Sequence, residues 1–104
     1  NELSLSVTLA LAYYSAKNSY EIFREFPSGK GFADLTFIPR RGVDFPAMVI
    51  ELKYNNSADN AIEQIKEKNY TEKLSAFSGE ILLVGISYND SKGHSCIIEK
   101  IVKQ

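Results

Sequence analysis

The sequence predicts an α/β domain with the element order αβββαβ and one further strand at the end. Three observations carry that expectation. Apolar residues near the start recur at helical spacing, three β-rich segments precede a capped amphipathic stretch, and a continuous apolar run follows it.

Residues 3–14 place Leu3, Val7, Ala10, Leu11 and Tyr14 on one helical stripe and Leu5, Leu9 and Ala12 on its neighbour, so a largely buried helix is expected. Lys17, Asn18 and Ser19 interrupt it. Residues 20–26 then alternate Tyr20, Ile22, Arg24 and Phe26 with Glu21, Phe23 and Glu25, the pattern of a partly exposed strand. Pro27-Ser28-Gly29-Lys30-Gly31 reads as a turn. Residues 32–39 are β-rich and end at Pro39, while residues 40–46, with Gly42, Asp44 and Pro46, have the makeup of a loop. Residues 47–54 begin apolar on both faces, which predicts a central strand covered on both sides.

Asn55, Asn56 and Ser57 supply helix-capping chemistry, and Ala58, Ala61, Ile62, Ile65 and Lys68 continue at 3.6 spacing into a helix expected to end near residues 77–79. Ile81-Leu82-Leu83-Val84-Gly85-Ile86 is typical of a buried strand, and a helical crossover makes it parallel to residues 47–54. A turn at residues 89–93 leads to a last strand over residues 94–102. The sequence contains no internal repeat and no low-complexity tract.

At 104 residues the chain has room for one hydrophobic core, hence a single domain spanning residues 1–104. Apolar residues at 44% and charged residues at 24% give the balance of an ordinary globular protein. Lys and Arg (12) nearly cancel Asp and Glu (13), so composition supplies no global positive field for nucleic acid. The lone Cys96 cannot form an internal disulfide, and beside Ile97 and Ile98 it is expected to be a small buried hydrophobe. The absence of a disulfide framework fits a reducing cytoplasm. No apolar run approaches the ~20 residues that cross a bilayer, so no membrane association is expected. The chain opens on Asn1 directly into a helical pattern, as a C-terminal piece of a longer polypeptide would.

Charged residues inside an apolar strand need a physical reason, because an unpaired buried charge costs several kcal/mol or is neutralised. Alternation puts Ala47, Val49, Glu51 and Lys53 on one face, so the carboxylate and the ammonium share an environment. Asp34, in Phe32-Ala33-Asp34-Leu35-Thr36-Phe37, is a second carboxylate among apolar neighbours, and pairing of the two strands would let both converge. Two carboxylates and a strand carbonyl are hard oxygen ligands that suit Mg²⁺ or Mn²⁺, and with one Cys and one His no soft-metal site competes. An adjacent lysine is placed to orient or deprotonate water and to offset charge on a phosphate.

Asp34 followed by Glu51-Leu52-Lys53 after an apolar strand, in an αβββαβ frame, resembles the PD-(D/E)XK nuclease superfamily. More narrowly, residues 27–34, 51–55 and 61–70 together resemble its branch found after a predicted AAA-type ATPase-like domain in many bacterial proteins. Ala33 stands where the superfamily's pattern has proline. The resemblance implies a restriction-endonuclease-like α/β fold, a mixed central sheet flanked by helices on both faces. It also implies metal-dependent hydrolysis of nucleic acid, DNA foremost, with Mg²⁺ or Mn²⁺ as cofactor. By position it assigns Asp34, Glu51 and the Leu52 carbonyl to the metal, Lys53 to the catalytic lysine role, Gln64 to the polar contribution of the second helix, and Glu2 to an acidic role through water. Lys30, Arg24, Lys68 and Tyr70 are candidate nucleic-acid contacts. The alternative is a catalytically weak or inactive nuclease-fold module serving as a binding or regulatory appendage of an upstream ATPase-like domain, and homodimerisation would double the basic surface offered to duplex DNA.

Plainer readings stand beside these. Glu51 and Lys53 could form an ion pair at the sheet rim, and Asp34 alone a strand-start cap. Gly29-Lys30-Gly31 lacks the full phosphate-loop spacing and a following helix, so a strand-connecting turn is expected. A solvated charged rim accounts for Lys30, Arg24, Arg40 and Arg41 about as well as phosphate contact does. His94 is expected in a surface or strand-capping role. The six tyrosines are spread through different elements and read as core or rim aromatics rather than stacking platforms, with Tyr54 and Tyr70, which flank the site, as the exceptions.

Overall fold

The computed structural model describes residues 11–12, 15–25, 33–67, 74–91 and 93–103, with backbone alone at 25, 33 and 34. Most of the expected first helix, the turn at residues 27–31, and Glu2, Lys30, Lys68 and Tyr70 lie outside the described residues. Residues 11–12 and 15–16 are helical, as the spacing predicts, but Leu11 and Ala12 are exposed rather than buried.

Five strands form one mixed sheet in the order β1-β2-β3-β4-β5. They are β1 (Tyr20–Glu25), β2 (Ala33–Pro39), β3 (Ala47–Tyr54), β4 (Gly79–Asn89) and β5 (Gly93–Lys103), with α1 (Ala58–Glu67) between β3 and β4. Neighbours are antiparallel except β3 and β4, which run parallel as the helical crossover requires.

The start of α1 is set by local chemistry. The Ser57 hydroxyl accepts the Asn60 N–H at 3.0 Å, and the Asn56 Oδ1 accepts the Ser57 N–H at 2.8 Å, so the free donors of the first turn are satisfied before the helix closes its own bonds. Asp59 in the first turn and Lys66 in the last complement the helix dipole. Ala58, Ala61, Ile62 and Ile65 form the buried stripe. It packs on Ala47 and Val49 of β3 and on Ile81 and Leu83 of β4, with Leu74 closing the core. Strand alternation sends Ile97 and Ile101 of β5 to the same face. Across the sheet, Tyr20 meets the Phe37 ring edge-on at 5.7 Å and donates its hydroxyl to the Pro46 carbonyl at 2.8 Å. Burial pushes the Tyr20 phenol pKa up from its ordinary value.

Two expectations are corrected. The helix does not reach residues 77–79. Residues 74–76 form a turn in which the Phe77 N–H donates to the Leu74 carbonyl at 3.0 Å. Leu74 drops into the core there, and the Lys103 ammonium of β5 takes the carbonyls of Leu74, Ser75 and Phe77 at 2.5, 3.1 and 3.0 Å, capping acceptors that a continuing helix would have used itself. Cys96 is exposed, not buried, because residues 97, 99, 101 and 103 of β5 turn toward α1 and Cys96 alternates to the other face. The one helix described in full covers one sheet face, so helices on both faces are not seen among the described residues. None of those residues belongs to a helix long and apolar enough to cross a membrane.

The tightest contact between helix and sheet lies at Gly85. A Cβ there would stand 2.5 Å from the Ala58 carbonyl oxygen and 3.1 Å from the Ala61 Cβ. Gly85→Ala is therefore expected to lift the first turn of α1 and to cost about 1–3 kcal/mol in a urea melt. At Tyr20 the raised pKa means that the phenol's contribution to stability is complete below its unfolded pKa and is lost as pH rises through the folded one. Tyr20→Phe should flatten the alkaline fall of stability measured against pH.

Candidate active site

β3 alternates buried and half-buried residues until its last position, and its buried set is Ala47, Val49, Glu51 and Lys53. The apolar half of this face lies in the core under α1. Its polar half continues toward the strand's end, where Glu51 is 0% and Lys53 8% exposed. Their Cα atoms are about 7 Å apart along one face, two strand residues at ~3.3 Å each. The solvated rim pair, the plainer reading of these residues, does not fit such enclosure.

Register brings the neighbours in. Glu51 stands opposite Asp34 of β2 on one side and beside Gly85 of β4 on the other, and Lys53 is paired with Ser87. Positions directly opposite in an antiparallel pair share a sheet face, so the Asp34 position belongs to the face of Glu51 and Lys53. The bare backbone at Gly85 admits the start of α1, whose Ala58 carbonyl oxygen lies 2.5 Å from where a Cβ would stand. One carboxylate oxygen, Glu51 Oε1, is fully enclosed and accepts no hydrogen bond from the described residues, while the residue engages other groups.

Gln64 is half-buried on α1. Lys66, two residues or about 200° further round the helix, bonds to Glu99 of β5 at 2.8 Å. Gln64 thus lies on the opposite flank, toward β3, the side on which Glu51 sits. Leu52 is mid-sheet, with Ala33 and Ile86 as register partners, and a backbone carbonyl keeps a second lone pair after one ladder bond. Arg24 is exposed and pairs with Leu35, which places it on the sheet face away from Glu51.

Two buried polar residues join the site face without having been singled out in the sequence. Thr36, 7% exposed, lies two positions along β2 from Asp34, and Ser87, 5% exposed, is the register neighbour of Lys53. Thr36 was findable by stepping two residues along β2 from Asp34, whereas Ser87 is reached only through the pairing of β4 with β3. Ser87 also lines a cavity of about 560 Å³ at the start of α1, together with Asn55, Ser57, Asp59, His94 and Ser95. Its hydroxyl lies 2.6 Å from that of Ser95.

A hard divalent cation is held by one or two carboxylates with water filling the remaining positions, and among the described side chains Glu51 is the carboxylate that this face offers beside the strand carbonyls. Among the described residues no group of three or more His, Cys, Asp or Glu gathers as a metal cluster.

The sequence-family model of the PD-(D/E)XK nuclease superfamily matches residues 6–99. No curated protein and no solved structure matches the chain.

Glu51→Gln removes a buried charge and preserves shape. In metal-free buffer it should melt at or above the wild-type temperature, because charges enclosed for function cost stability. A melting temperature several degrees lower would mark the carboxylate as a structural counter-ion instead.

Proposed function

The chain belongs to the PD-(D/E)XK nuclease superfamily, and from that premise we propose that it hydrolyses phosphodiester bonds of nucleic acid, DNA foremost, with Mg²⁺ or Mn²⁺ as cofactor. The observation that supports this most is the enclosure of Glu51 and Lys53 on one face, with the Asp34 position opposite Glu51 in register.

In this reading the Asp34 and Glu51 carboxylates and the Leu52 carbonyl hold the cation. When bound, the cation supplies Lewis-acid stabilisation of negative charge at the phosphate. Lys53 holds and orients the attacking water and offsets charge building on the phosphoryl oxygens, an effect strengthened by its burial. Gln64 positions water or phosphate from the flank of α1, and Glu2 contributes through water from the first helix. Lys30, Arg24, Lys68 and Tyr70 contact the nucleic-acid backbone, Arg24 from the far side of the sheet.

A net charge of −1 favours a second reading, because a free-standing nuclease gains affinity from basic surface that this chain lacks overall. In it the domain is an inactive nuclease-fold module attached to an upstream AAA-type ATPase-like domain in a bacterial cytoplasmic protein, with DNA affinity supplied by that domain or by homodimerisation.

Cleavage of labelled single-stranded and duplex DNA and RNA with Mg²⁺ and Mn²⁺ separates the two readings. The nuclease reading expects Lys53→Ala to lower the rate by about 10²–10³-fold with the fold intact by circular dichroism. It also expects Asp34→Ala to abolish the heat of Mn²⁺ binding in calorimetry. Intact substrates in every arm, together with no Mn²⁺ heat in the wild type, would sink it. Sedimentation at rising concentration reads the dimer.

A further inference from the structure

The site face leaves out a second feature at the same end of the sheet. Tyr54 of β3, Tyr88 of β4 and His94 of β5 are consecutive register partners across three neighbouring strands. Their side chains stand on the face away from α1, because Tyr54 alternates with Lys53 and Tyr88 with Ser87. The Tyr54 and Tyr88 rings stack with centroids 5.5 Å apart and planes 20° from parallel, and the His94 ring continues the row at 5.5 Å and 41°. Residues far apart in sequence thus form one aromatic row. Sequence spacing alone could not show it.

The row is open to water. Tyr54 is 41% exposed, and His94, on the edge strand, is exposed as well. A cross-strand aromatic pair is ordinary sheet stabilisation, but that role does not call for a third ring carried outward to the sheet edge. The supports are rigid. The Tyr54 hydroxyl donates to Asp90 Oδ2 at 2.6 Å, and Asn89 Oδ1 accepts both the N–H and the hydroxyl of Ser91, at 3.0 and 2.8 Å, tightening the β4–β5 turn.

Resting on the nuclease reading above, we propose that this row is a stacking platform for unpaired bases of single-stranded nucleic acid, one step beyond the scissile phosphate. Three features favour this occupant. Tyr54 directly follows Lys53 in the chain, so a strand leaving the phosphate site around the end of β3 meets the row at once. The ring faces at the two ends of the row, on Tyr54 and His94, extend the stack to any base. The Asp90 carboxylate repels phosphate and accepts from base amino groups, so it selects the base side of a nucleotide over its backbone.

The test uses the full chain in EDTA, where no cleavage occurs, with a thymidine oligonucleotide carrying one 2-aminopurine, and a blunt duplex of equal length as comparison. The platform predicts quenched 2-aminopurine fluorescence on binding. It predicts single-strand affinity about tenfold weaker in Tyr54→Leu and in His94→Leu, with quenching lost and duplex affinity unchanged. His94→Leu keeps the experiment decisive if Tyr54→Leu fails to fold, since His94 is exposed. Unquenched fluorescence in the wild type, quenching retained in folded variants, or equal weakening toward strand and duplex would each overturn the proposal. A parallel Mg²⁺ cleavage arm with wild type and Lys53→Ala keeps the two ideas apart. Stacking without cleavage sinks the nuclease alone, and cleavage without stacking sinks the platform alone.

Discussion

Everything distinctive about the site follows from how closely α1 lies on the sheet. Helices normally stand off a sheet by the thickness of their side chains. Here Gly85 offers none, and the Ala58 carbonyl comes within 2.5 Å of where a Cβ would be. Gly85 is the register neighbour of Glu51, whose carboxylate is fully enclosed. A charge so enclosed is costly unless its surroundings answer it. Four buried polar residues, Thr36, Glu51, Lys53 and Ser87, share that face of the sheet.

The capping at Asn56 and Ser57 is part of the same device. By satisfying the first turn immediately after β3, it lets the helix begin directly over β4. A later start would leave the polar end of the face open. The parallel pairing of β3 and β4 then places Lys53 beside Ser87, and the flank of α1 that carries Gln64 falls on the side of β3 and Asp34.

Much of this was legible in the residues. β3 could be placed to the residue because its apolar start and its Glu51-Leu52-Lys53 end leave one alternation that buries it sensibly, and the parallel β3–β4 pair followed from the helix between them. What failed did so where local pattern yields to partners distant in the chain. Cys96 sits in an apolar triplet, yet which of β5's two faces is covered depends on register with β4. The amphipathic pattern beyond residue 67 gave no warning of the turn at Leu74, which is held by an ammonium from β5. The tyrosines looked scattered because strand neighbours are not sequence neighbours, and only pairing turned Tyr54, Tyr88 and His94 into a row.

The Lys103 clasp bears on how the molecule is made. Its three acceptors lie 29, 28 and 26 residues away in sequence, in the segment that delivers the chain into β4. Such bonds reward the chain only after the intervening loop has closed, and closure entropy must be met first. The clasp therefore needs the β4–β5 hairpin to carry the lysine back along the sheet, and it ties the end of the crossover to the edge strand. A residue at the far margin of the sheet thus holds the segment that feeds its middle, so an alteration at Lys103 would be felt at the entry to β4.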